Sequence, residues 1–239
     1  MYGGYGYYGL GYSLFDPTMI LVYIGALLSL WASSKVNSTF QRYSRVRSMT
    51  GMTGAEAAKR LLQSQGIYDV TVRRVPGKLT DHYDPTARVV RLSDSVYDSP
   101  SIAAIGVAAH EVGHAIQHAN SYAPLTIRNA IIPVTNIGSK LSIPLILLGV
   151  VMSFQPLVTV GIVAFSLMAV FQLITLPVEF NASSRALATL NGEHYLDEEE
   201  VYGARKVLSA AALTYVAALV MSLAQLMRLV ALFGNRDRD

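Results

Sequence analysis

Two histidines and a glutamate lie within five positions of one another in the run His110-Glu111-Val112-Gly113-His114. On an α-helix, residues four apart share one face about one turn apart, so both imidazoles can grip a single ion while the carboxylate between them faces a water at its open position. This is the chemistry of zinc-dependent peptide hydrolysis, with His110 and His114 as metal ligands and Glu111 as the group that carries the proton. The residues leading into the motif, Ile102-Ala103-Ala104-Ile105-Gly106-Val107-Ala108-Ala109, are apolar. Two histidines and a carboxylate at the end of such a helix are costly unless something satisfies them.

A catalytic zinc takes a third protein ligand. His118 continues the four-residue series, but eight residues of helix put it about 12 Å from His110, too far to share an ion. Glu179 is the better candidate. It follows Pro177 at the start of an expected helix Glu179 to Leu190, which stops at Asn191-Gly192. Two apolar segments separate it from His114, and two membrane crossings return the chain to the side it left. The chain has no cysteine, so His, Asp and Glu are the strong ligands available, and a disulfide scaffold or a thiol nucleophile is excluded.

The elements that must position these residues follow from where charge is missing. Of 239 residues 52% are hydrophobic and 15% charged, against roughly 25% charged in an average soluble domain. A membrane helix needs about 20 predominantly apolar residues, and four segments qualify: 17–34, 131–154, 157–176 and 207–228. The middle two form a hairpin broken at Gln155-Pro156, with Lys140 near a headgroup layer. Because the cations follow the first span instead of preceding it, a cleaved signal peptide is not expected. The Tyr/Gly-rich residues 1–16 read as an exposed or interfacial tail, and 229–239 as a short C-terminal tail. Lys35, Arg42, Arg45, Arg47, Arg128, Arg185, Arg205 and Lys206 all fall on one side of this arrangement. The positive-inside rule therefore puts the N-terminus outside and residues 35–130 and 177–206 in the cytoplasm. A net charge of +3 gives no large single-sign field of the kind nucleic-acid binding requires.

Residues 35–130 read as a small α+β unit. Thr53 and Glu56 form a capping box for a helix ending at Gly66. Val70–Val75 and Ala87–Leu92 are β-rich, with Pro76-Gly77 as a turn. Ala87–Leu92 is either the sheet edge that receives an extended substrate or an ordinary inner strand. Asp81-His82-Tyr83-Asp84-Pro85 reads as a solvated turn. Ser99-Pro100 reads as the start of the motif helix. Asp197 to Glu200 suits a loop and helix N-terminus before the last span. The expected architecture is mostly α: four transmembrane helices with a small cytoplasmic α+β zincin-like catalytic domain, built from the HExxH helix and a short β-hairpin or sheet.

Taken together, HEVGHAIQH, the apolar hairpin, LPVEFNASSRAL and VLSAAALTYVAAL resemble the membrane zinc metallopeptidase family typified by bacterial YugP proteins, and more distantly the HtpX- and Ste24-type membrane gluzincins. The resemblance covers most of the chain. It implies a zinc endopeptidase with His110, His114 and Glu179 as ligands, Glu111 as general base, and a polypeptide substrate, including membrane proteins. Such enzymes often add a His or Tyr to stabilise the oxyanion, for which Tyr215, His194 and Tyr195 are available. In such families an acidic residue commonly follows the third Glu within a turn. Here the helix offers Asn181, Ser183 and Ser184, and Asn181 is expected to accept from a ligand imidazole. Association into homo-oligomers is compatible with the pattern. A rival reading is a membrane adaptor with structural zinc, closed by a fourth ligand from Asp81, His82 or His194. A transporter is disfavoured by four spans with no inverted repeat.

Overall fold

The computed structural model describes residues 17–192 and 195–234. The tail 1–16, Glu193, His194 and residues 235–239 lie outside the described residues. In chain order the elements are α1 (Pro17–Tyr43), α2 (Gly54–Ser64), β1 (Thr71–Val75), β2 (His82–Asp84), β3 (Val89–Ser93), α3 (Ile102–Ala119), α4 (Ala123–Val151), α5 (Gln155–Gly192) and α6 (Glu198–Phe233). Among the described residues, α1, α4, α5 and α6 are long and apolar enough to cross a membrane. Each extends beyond the apolar stretch that announces it at one end or both, so polar residues are carried on the same continuous helix.

Among the described residues the chain divides into two compact units: one takes 17–30, Pro133–Val170 and 217–234, the other Trp31–Ile132 and the described part of Phe171–Val216. The first turns large apolar side chains outward. Leu27 is 66% exposed and Ile137 61%, an outer face that suits lipid and not water. Inside it, Ile146, Val158 and Leu229 form a buried cluster. Gly149 and Gly161 let α4 and α5 approach: a Cβ on Gly161 would press on the Ile146 side chain and the Ser142 carbonyl, the small-residue contact that packs helices in a bilayer. The hairpin between them turns at Met152–Phe154, ahead of the expected break. Gln155 and Pro156 open α5 instead, where a proline's missing N–H costs nothing, and Gln155 Nε2 donates to the Phe233 carbonyl (2.7 Å).

A second expectation also needs correction. No separate helix starts at Glu179, because α5 runs unbroken through Pro177 to Gly192. Proline removes one backbone donor, and helices of this kind tolerate the loss where neighbouring groups compensate.

The other unit is built on α2, α3 and a three-stranded sheet ordered β1-β3-β2. Thr53 accepts from the Glu56 N–H while Glu56 Oε2 accepts from the Thr53 N–H (2.9 Å), the expected capping box, and Gly66 at φ +70° ends the helix. β3 lies in the middle, parallel to β1 and antiparallel to β2. Ala87–Leu92 is therefore an inner strand and receives no substrate at its edge: Val90 and Leu92 are fully buried. β1 and β2 are the two edges, and β2 arises from the segment read as a solvated turn. α3 starts at Ile102, capped by Ser101, whose Oγ accepts from the Ala104 N–H (3.2 Å). Ser99 is not the cap, and its hydroxyl donates to Ser101 Oγ (3.0 Å). The apolar run Ala103 to Ala109 packs with Leu61, Leu92 and Leu190 in one core, which fixes the half of α3 that leads into the motif at its middle.

Candidate metal centre

α3 and α5 meet where Gly113 faces Ala182. A Cβ on Gly113 would overlap the Ala182 carbonyl oxygen, so the glycine inside the motif is what allows the two backbones to touch. His110 stands about one turn before that contact and His114 directly follows Gly113, and Glu179 lies about one turn before Ala182 on α5. Glu179 Oε2 is 3.2 Å from His110 Nε2 and 3.5 Å from His114 Nε2. The two rings stand nearly perpendicular, at 81°. These three are the group among the described residues that could hold a metal ion.

The separations test the fit of zinc. Donors bound tetrahedrally at about 2.05 Å lie about 3.3 Å apart, and the two nitrogen–oxygen distances fall on either side of that value. Arg128 Nη1 donates to the other carboxylate oxygen, Glu179 Oε1 (3.3 Å), leaving Oε2 turned to the histidines. The donor set of two imidazoles and one carboxylate oxygen is one that zinc favours.

Glu111 lies between the histidines on the chain and is 7% exposed. Burial pushes its carboxyl up to about 7; the neighbouring Glu179 and Asp81 carboxylates add to the rise, while His110 and the Tyr83 backbone oppose it. A cavity of about 160 Å³ opens onto Glu111, His110, His114 and Glu179, with Asp81, His82, Tyr83, Pro85, Leu125, Arg128, Asn129 and Tyr215 completing its wall.

The remaining candidates separate clearly. His118 Nδ1 is 2.8 Å from the Tyr83 hydroxyl and takes no part in the cluster. Asp81 accepts from the Ser93 N–H (2.7 Å) and hydroxyl (2.9 Å), though burial still raises its carboxyl above the ordinary range. His82 Nδ1 lies 2.9 Å from the Thr80 carbonyl, and its Nε2 lies 3.2 Å from the Arg91 guanidinium. Tyr195 packs against the hydrophobic core, and His194 is outside the described residues. Asn181 does not reach an imidazole: its Oδ1 accepts from Gln117 Nε2 (3.0 Å) and Arg185 Nε (2.7 Å). The side chains that do touch the imidazoles from behind are Gln117, with Oε1 at 3.0 Å from His114 Nδ1, and Ser183, with Oγ at 3.1 Å from His110 Nδ1. Sequence reasoning counted Ser183 among the residues α5 offers but gave the contact to Asn181, and it missed the roles of Gln117 and Arg128. Gln117 had left a signal: a polar residue three positions after His114, on the buried face of an apolar helix.

A membrane-embedded helical chain with a two-histidine, one-glutamate centre is the class that fold and site define. Residues 18–234 match the family described as "Putative neutral zinc metallopeptidase", and the chain belongs to that family. It is 54% identical over 222 residues to the protein named "Putative membrane protease YugP" of Bacillus subtilis (strain 168), an alignment covering 92% of this chain and 99% of that one. No solved structure matches. Zinc is thus the metal to which His110, His114 and Glu179 are matched.

Proposed function

We propose that this protein is a membrane-anchored zinc endopeptidase of gluzincin type, hydrolysing peptide bonds at the cytoplasmic face with His110, His114 and Glu179 as ligands and Glu111 as general base. The observation that carries the reading is the convergence of both Nε2 atoms on one Glu179 oxygen beside a buried, proton-avid Glu111. Zinc held there supplies a Lewis acid that polarises the scissile carbonyl and acidifies a water.

The chain's own groups supply the rest. Glu111, with its carboxyl poised near neutrality, takes the proton of the attacking water and delivers it to the leaving amine. Arg128 keeps Glu179 Oε1 engaged, leaving Oε2 as the oxygen that would hold the ion. Of the two phenols that line the cavity, Tyr83 is engaged with His118, and Tyr215 is the one assigned to donate to the oxyanion, in preference to Tyr195. Desolvation around Glu111 strengthens each of these interactions. The zincin-like character rests on the same parts: a motif helix packed with a small sheet, one of whose edge strands, β2, borders the cavity.

Cleavage of an unfolded protein by the purified full chain in detergent micelles tests the proposal. Activity that a chelator removes and added zinc restores is the expected result. Stoichiometric zinc with no cleavage of any of several unfolded substrates would instead favour the structural-zinc adaptor.

A further inference from the structure

Gln117 is fully buried, and one of its contacts has only one possible direction. Its amide nitrogen faces the Val178 backbone carbonyl at 2.8 Å. A carbonyl oxygen can only accept, so the atom opposite it must be the NH₂ and not the amide oxygen. Oε1 is then the atom 3.0 Å from His114 Nδ1, and as an acceptor it requires a proton on that ring nitrogen. A second anchor agrees. Arg185 Nε, which can only donate, points at Asn181 Oδ1 (2.7 Å), so Asn181 presents its oxygen to Gln117 Nε2 (3.0 Å) and consumes the second amide hydrogen. Every polar bond of the chain Arg185–Asn181–Gln117–His114 thereby has a fixed sense, and a neutral His114 has its bare nitrogen at Nε2, the atom 3.5 Å from Glu179 Oε2.

We propose that Gln117 is the positioning residue that holds His114 in its metal-binding tautomer, and that Asn181 and Arg185 act through it by fixing the orientation of its amide. The proposal rests on the reading of His114 as a zinc ligand, and concerns how tightly the ion is held, not whether peptides are cleaved. The role foreseen for Asn181, direct support of an imidazole, passes to a residue on α3 itself. Partners of this kind set the tautomer and basicity of ligand histidines, and their loss typically weakens metal binding about 10- to 100-fold.

Two measurements on the full chain in detergent micelles or nanodiscs test this without reading proteolysis. In the zinc-loaded wild type at pH 8, ring nitrogen NMR, with the His114 signal identified by its loss in His114→Gln, should show the metal on Nε2 and the proton on Nδ1. A proton on Nε2 would overturn the proposal. Chelator-competition titration should show zinc bound about 10- to 100-fold more weakly by Gln117→Leu and by Asn181→Leu, but with near wild-type affinity by Asn181→Asp, which keeps the acceptor. Equal affinity across all four proteins would refute it. Should Gln117→Leu fail to fold, the Asn181 pair and the wild-type tautomer decide the matter. If cleavage proves absent while these results hold, the peptidase reading fails and this one stands.

Discussion

Gly113 and Ala182 touch backbone to backbone, and no side chain fits between them. The contact fixes the separation of α3 from α5, and with it the distance from the paired histidines to Glu179. Gly113→Ala should therefore act at the metal centre although it removes no ligand. Overpacking of this kind costs roughly 1–3 kcal/mol. The expected outcome is a lower thermal midpoint together with substoichiometric zinc. Gly192→Ala, where an added Cβ meets nothing within 4 Å, should leave both unchanged.

Glu179 supplies the only carboxylate oxygen near both imidazoles among the described residues. Replacing it with alanine removes a ligand and leaves Arg128 without its Glu179 hydrogen bond. Zinc content measured after exhaustive dialysis should fall sharply in Glu179→Ala, while helical content by circular dichroism stays near that of the wild type. Full zinc occupancy in that variant would redirect the search to His118 or Asp81.

Charge at Glu111 should make the metal-free protein pH-sensitive. Burial raises its folded-state carboxyl to about 7, against an ordinary value of about 4.3 in the unfolded chain. Between those values the folded protein keeps a proton that the unfolded chain has lost, so this group makes stability fall as pH rises through the window. Glu111→Gln removes that dependence. In the presence of chelator, the variant's thermal midpoint should exceed the wild type's at pH 8 by an amount that shrinks toward pH 5. An advantage that grows toward acid would contradict the assignment.

How much of this was legible in the sequence depends on whether a feature is local. The four-residue spacing of His110 and His114 and the capping box at Thr53 and Glu56 are read directly, because helix geometry alone determines them. Glu179 was reachable through the count of membrane crossings, which is also a one-dimensional argument. β2 was missed: three residues that pair only once β3 is in place, within a segment whose Asp and Pro read as a turn. Pro177 misled for a similar reason. Its tendency to end a helix is local, and what overrides it is the packing around α5. The partner of His114 lay in plain view at Gln117, yet its role depends on Val178 and Asn181, more than sixty residues away.

Paired measurements of zinc content and peptide cleavage on the wild type and Glu111→Gln test the central claim most directly. The substitution keeps the shape of the side chain and all three ligands but removes the proton acceptor. Zinc should remain stoichiometric while cleavage of an unfolded protein is lost, by several orders of magnitude if proton transfer and water activation both depend on the carboxylate. Cleavage at the wild-type rate by a zinc-loaded Glu111→Gln protein would contradict the account.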